Sequence, residues 1–272
     1  IPEHMRDLIA TRGHDFASLT DTTGTTGSDN LEHASWLGST QVADAQESIR
    51  VLSDRAWDWL VVDHYALNVQ WESALRRTAK SILAIDDIAD RQHDCDLLLD
   101  PNFYSDMDIR YAGKVPAHCR QLLGPRYVLL RKEFADMHRT VKIRTGPVRR
   151  ILVFFGGIDA PNHTGGTLEV LSKFTVNELK VDVVVGASHP KLQDIRTKCE
   201  AHDFDLHVQT DRMAALMASA DLAIGAGGSA IWERCCLGLP TLVFSTAKNQ
   251  AKQVADVANA GWVYAPEPQD DL

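Results

Sequence analysis

Basic residues are in the minority: 28 Lys and Arg stand against 37 Asp and Glu, a formal charge of −9. A surface that neutralises phosphate backbones or docks on anionic lipid needs the opposite balance, which argues against nucleic acid and membrane as partners. A local basic pocket stays open. Cysteine is sparse, and Cys95, Cys119, Cys199, Cys235 and Cys236 are odd in number and lack CxxC spacing. Neither a disulfide framework nor a zinc site is suggested, and reduced thiols in a cytosol fit best. No apolar run reaches the roughly 18 residues of a membrane helix, and no basic-then-apolar leader opens the chain. A cytoplasmic location is expected.

What is present is an ordinary globular composition, 44% hydrophobic and 24% charged over 272 residues, enough for two domains of about 130 residues each. Short apolar runs alternate with helical patterns, the signature of parallel strands buried on both faces and joined by crossover helices. In the first half a helix over 1–13 precedes a short strand at 15–19 and a loop at 20–30 rich in Thr, Gly and Asp. Strands follow at 59–62, 81–85 and 96–99, with a helix over 69–79 on the spacing of Trp71, Leu75 and Thr78. A second set of strands occupies 151–155, 181–185, 206–209, 221–224 and 241–244. The polar turn at 142–148 marks the junction, giving domains 1–143 and 144–272. The expected fold class is α/β, two Rossmann-like domains facing across a cleft. A doubly wound domain normally starts on a central strand, so the first βα unit of the N-terminal domain is expected upstream of Ile1.

The segment 222–240 runs from an apolar strand through Gly225, Gly227, Gly228 and Ser229 into a helix. Glycines of this kind let amides approach an anion, and a following helix start favours phosphate. Ser229 would cap that helix, and Glu233 could accept from ribose hydroxyls. Equally, the glycines could form only a tight turn, with Glu233 complementing the helix dipole. The pattern is neither GxGxxG nor a Walker loop. A second turn, Gly156-Gly157 followed by Asp159 and Asn162, also leaves a strand at the carboxyl edge, where ligands bind; for Asp159 and Asn162 a turn and helix cap is the plainer role. A third, with Asn249 and Gln250, follows 241–244, with simple helix capping as the plain alternative for Asn249. Three turns converging on one edge argue for a binding crevice more strongly than any single turn.

In the first half, Asp63, His64 and Tyr65 close a strand and place three ionisable groups at its carboxyl edge, with His64 favoured as structural on spacing alone. Asp86 and Asp87 close the next strand and, facing opposite ways, cannot straddle one glycosidic bond. Asn102 follows the strand after that. His93, Asp94 and Asp96 lack a metal partner motif and read as a solvated loop. No metal and no cofactor is expected.

The chain resembles the UDP-2,4-diacetamido-2,4,6-trideoxy-β-L-altropyranose hydrolases of pseudaminic acid biosynthesis, the PseG type of the glycosyltransferase-B-like superfamily. The resemblance runs through Asp63-His64-Tyr65, Ile85-Asp86-Asp87, the block from His93 to Asp100, Asn102, the block from Leu123 to Tyr127, Phe155-Gly156-Gly157 with Asp159, and Gly227-Gly228-Ser229 with Trp232-Glu233-Arg234. It implies a bacterial enzyme of polysaccharide biosynthesis and flagellin glycosylation, with UDP on the C-terminal domain at Gly156, Gly157, Gly227, Gly228, Ser229 and Glu233. An acetamido sugar would be met by Asn102, Asn249 and Gln250, with Tyr65, His64 and Asp63 as accessory residues. Water would replace UDP with inversion and without an obligatory metal. The family's general base, a histidine in a Gly-x-Gly-His loop, does not occur in this sequence and is expected upstream. A glycosyltransferase using a UDP-sugar donor, or a UDP-binding fragment without activity, is the alternative. A monomer or weak dimer is expected.

Overall fold

A computed structural model describes residues 3–19, 31–174 and 179–266. The Thr- and Gly-rich loop expected at 20–30 lies outside the described residues. Within them the chain carries two separate parallel sheets, of four and five strands.

The first sheet is ordered β1-β2-β3-β4, with β1 Trp57–Val62, β2 Ala79–Ile85, β3 Leu97–Asp100 and β4 Arg120–Leu123. Its core is built on Leu75, Ile82 and Leu98, each 0% exposed. Trp71 donates its indole N–H to Asp44 Oδ1 at 2.7 Å, tying the helix Val69–Leu75 to the helix Gln41–Val51. That second helix was not anticipated from the sequence; Thr40 caps it by accepting from the Ala43 amide at 3.1 Å.

The helix expected over 69–79 stops at Leu75. Arg76 is drawn to Asp94 and Asp96, at 2.8 and 2.6 Å, and the Thr78 carbonyl accepts from Trp57 at the start of β1. The same contacts correct the reading of 93–96 as a solvated loop. His93 is buried against Glu72, with Nδ1 2.8 Å from Oε1. Residues 15–19 form no strand, whereas β4 was missed because a four-residue strand with two exposed positions carries no alternation to detect. Cys95 and Cys119, expected only as separate reduced thiols, are neighbours, Sγ to Sγ 3.6 Å.

The second sheet is ordered β7-β6-β5-β8-β9: β5 Arg150–Phe154, β6 Lys180–Val185, β7 Asp205–Val208, β8 Leu222–Ala226 and β9 Thr241–Phe244. β6 is buried at every position after its first, as a central parallel strand covered on both faces must be. Its one buried polar residue, Asp182, is 0% exposed and is matched by Arg150 at 2.5 Å and His207 at 2.9 Å, so the buried charge is paired.

Contacts divide the chain into two compact units whose boundaries fall after Pro101, Ser105 and Tyr127. The turn at 142–148, where the sequence placed the junction, therefore lies inside the second unit. Arg144 donates to the carbonyls of Met217, Ala220 and Leu237 at 2.6 to 2.7 Å. Phe134, fully buried in the helix Lys132–His138, belongs to the core formed with Leu152, Met213 and Leu237.

Candidate functional site

In the second unit β5 lies between β6 and β8, so the chain winds in opposite directions from β5, and the carboxyl ends of β5 and β8 are the switch point at which sheets of this kind take ligands. Phe154 and Gly225 are register partners, and both glycine turns begin at that point. Gly156 takes φ +100 and Gly228 φ +76, conformations that a side chain would strain. Among the described residues, the amides of Gly156, Gly157, Gly228 and Ser229 have no hydrogen-bond acceptor. The Gly227 amide is already used, donating to the Phe244 carbonyl at 3.0 Å. Four free donors on two adjacent turns are what an anion needs.

Ser229 precedes the helix Ala230–Cys236 but does not cap it. Its backbone is itself helical, φ −58 and ψ −29, and its hydroxyl receives no amide; side-chain capping needs an extended backbone at that position. The exposed Ser229 hydroxyl is therefore left for other partners. Glu233 sits one turn along, its Oε1 3.3 Å from Arg131 Nη2. Burial raises the Glu233 pKa, and the charge and hydrogen bond of Arg131 partly offset this.

Asp159 accepts from the His163 and Thr164 amides at 3.0 and 2.8 Å, and Asn162 accepts from Gly165 at 3.2 Å. Both are helix caps, the plainer of the two roles the sequence allowed.

Gln250 lies against the glycine turn, its Oε1 accepting from Thr246 Oγ1 at 3.2 Å. A Cβ placed on Gly227 would come within 3.1 Å of that same oxygen. Asn249 is exposed in the short 3-10 helix Lys248–Gln250 and caps nothing. Asn102 has its Oδ1 taken inside the second unit, accepting from Trp232 Nε1 at 2.8 Å and Gln253 Nε2 at 2.6 Å.

In the first unit Asp63, His64 and Tyr65 follow β1, and Asp86 and Asp87 follow β2. His64 Nδ1 accepts from the Ala66 amide at 3.1 Å, and burial lowers its pKa, so it is a neutral turn-holding residue. Tyr65 donates to Asp87 Oδ1 at 2.7 Å. Burial first, then Asp87, drives its pKa far upward, which keeps the phenol protonated and a donor. Asp63 is exposed.

Residues 151–267 match the glycosyltransferase family 28 C-terminal domain. The UDP-2,4-diacetamido-2,4,6-trideoxy-β-L-altropyranose hydrolase of Campylobacter jejuni is 25% identical over 218 residues, covering 79% of this chain and 76% of that protein. The chain resembles that hydrolase family. The spore coat polysaccharide biosynthesis protein SpsG of Bacillus subtilis is 30% identical over 156 residues, 57% of this chain and 46% of that protein. Among solved structures, Acinetobacter baumannii MurG aligns with TM-score 0.55 at 12% identity, covering 96% of this chain and 74% of that one. The fold is of the glycosyltransferase-B type.

One glycine that shapes the first turn was missed in the sequence. Gly186, after β6, donates to the Gly157 carbonyl at 3.1 Å, and a Cβ there would lie 2.1 Å from that oxygen. Gly225, which the sequence placed at the head of the second turn, is equally constrained, by the Phe154 carbonyl at 2.1 Å. Asp87, rejected with Asp86 as a glycosidase pair and otherwise quoted only as part of the family resemblance, was given no partner. An isolated glycine or carboxylate gives no signal of a partner distant in sequence; for Asp87 the partner, Tyr65, stands in another strand's exit.

Proposed function

We propose that this protein is a UDP-sugar hydrolase, releasing UDP from a diacetamido-trideoxy sugar nucleotide in nonulosonic acid biosynthesis. The observation that carries the reading is the set of four unpaired amides, Gly156, Gly157, Gly228 and Ser229, at the switch point of the second sheet. The name of the Campylobacter jejuni relative supplies the substrate.

The chemistry is an inverting substitution. Water bonds to the anomeric carbon from the face opposite the diphosphate while the bond from that carbon to the phosphate oxygen breaks. The electron pair leaves on UDP, and the water proton goes to a general base. Amides fixed before the reaction absorb the charge developing on the leaving oxygen without reorganising. Glu233 takes the ribose hydroxyls, and Asn249 and Gln250 meet sugar hydroxyls or acetamido groups. Tyr65, with His64 and Asp63, is the accessory group of the first unit. The family resemblance assigns the base to a histidine of a Gly-x-Gly-His loop. Among the described residues no helix is long and apolar enough to cross a membrane, and we place the reaction in the cytoplasm.

The alternative, a transferase of the same fold, is favoured by the glycosyltransferase family 28 match. Proton and phosphorus NMR of the chain, and of a version that carries a Gly-x-Gly-His loop, with the UDP-linked diacetamido-trideoxyhexose separates the readings. UDP and free sugar appearing together support hydrolysis, and UDP appearing only after a second acceptor is added supports transfer. Calorimetry with UDP tests the site itself, and absence of heat at millimolar nucleotide removes the proposal.

A further inference from the structure

Beneath the two glycine turns lies a cation with no carboxylate bonded to it. Arg234 is 1% exposed. Its Nη2 donates to the Ala226 carbonyl at 2.6 Å, its Nε has no partner, and among the described residues it enters no ion pair. The contrast with Arg91 is informative: also buried, Arg91 is paired with Asp86 at 2.8 Å and Asp90 at 2.9 Å. Burial lowers the Arg234 pKa to about 10, so the side chain stays positive at neutral pH.

The position is as specific as the isolation. A Cβ on Gly225 would come within 2.7 Å of Arg234 Nη1 and 2.1 Å of the Phe154 carbonyl. The guanidinium is therefore packed where β5 and β8 end and where both turns with unpaired amides start. An uncompensated buried charge is costly, and its field is felt strongly because little water lies near to screen it. Such a charge is stabilised when an anion occupies the far side of the turns.

Resting on the UDP reading above, we infer that Arg234 is the fixed counter-charge of the diphosphate site. It acts through the turns without touching the ligand, and it makes the site prefer a nucleoside diphosphate over less charged nucleotides. It is a positioning residue in electrostatic form. A purely mechanical role, stapling the Ala226 carbonyl, is the competing account, and the two respond differently to ligand charge.

The test is calorimetric affinity of the full chain for uridine, UMP and UDP, in wild type, Arg234→Gln, Arg234→Met and Arg234→Lys. Glutamine keeps a donor for Ala226 and removes the charge; lysine keeps the charge. In the neutral variants the UDP affinity is expected to fall by about tenfold or more and the uridine affinity by less than about twofold. In Arg234→Lys the UDP-to-uridine ratio should stay within about threefold of wild type. Equal losses for all three ligands, or an unchanged ratio in a folded neutral variant, overturn the inference and leave the UDP site standing. If neither neutral variant folds, the lysine variant decides, since a collapsed ratio with the charge retained contradicts the counter-charge role. Wild type that binds no UDP removes the site and this inference together.

Discussion

The Trp232 indole donates to Asn102 Oδ1 at 2.8 Å, and Gln253 Nε2 reaches the same oxygen at 2.6 Å. Asn102 is 6%, Trp232 3% and Gln253 2% exposed, so this is a buried polar junction within the second unit. It secures the helix that carries Glu233 to the helix Ala251–Asn259.

Removing the acceptor strands two buried donors. Asn102→Ala should lower stability by about 2 to 4 kcal/mol, since each orphaned donor costs about 1 to 2 kcal/mol. Urea denaturation measures it. A variant as stable as wild type contradicts the junction.

Glu233→Ala should weaken UDP about tenfold or more, because a hydrogen bond to a charged group contributes about 1.5 to 3 kcal/mol. Inorganic pyrophosphate, which has no ribose, should bind the variant as it binds wild type. Equal losses for the two ligands argue against a ribose contact. The exposed salt-bridge partner Arg131 makes Glu233→Gln a useful second variant, with a smaller loss expected.

Gly186→Ala forces a methyl group to within 2.1 Å of the Gly157 carbonyl. The backbone of the first glycine turn must move. A stability loss of about 1 to 3 kcal/mol is expected, as for overpacking elsewhere, together with weaker UDP binding. Gly166→Ala, where a Cβ meets nothing within 4 Å, is the matched control and should be close to neutral. If the two variants bind UDP alike, the Gly157 turn does not form part of the site.

Stability should depend on pH through His93. Burial opposes its charge, but Asp86 and Glu72 outweigh that and raise its pKa from 6.5 to about 9. A raised pKa means that the folded state holds the proton more tightly. The contribution is complete below pH 6.5 and disappears as pH rises to about 9. Asp86 is shifted the other way: burial opposes its charge, but His93 and Arg91 prevail and lower its pKa, so its contribution is lost as pH falls. Thermal midpoints between pH 6 and about 10 should decline in wild type and flatten in His93→Gln. Parallel slopes for the two proteins contradict this assignment.

Much of the scaffold was legible before any coordinates. β6 announces itself as a Val run interrupted by a single Asp, and β1, β2, β3, β5, β8 and β9 lie within two residues of the segments read from apolar runs. Local sequence carries this information because burial of both faces demands consecutive apolar residues. β4 and the helix Gln41–Val51 were illegible, the first because four residues hold no period and the second because its inward side includes Gln41, Ala45 and Ser48.

The site divides along the same line. Gly156, Gly157, Gly227 and Gly228 could be identified from their place after apolar strands. That Ser229 does not cap, that Asn102 serves Trp232 and Gln253, and that His93 is buried all depend on partners far away in sequence.

The order of the amino acids alone determined two sets of parallel strands and the glycine turns that leave them, because periodicity and backbone freedom are local properties. Tertiary structure decided which amides stay unpaired, which carboxylate meets which base, and that Arg234 meets none. Hydrogen bonds and buried charge are settled by neighbours that only folding brings together.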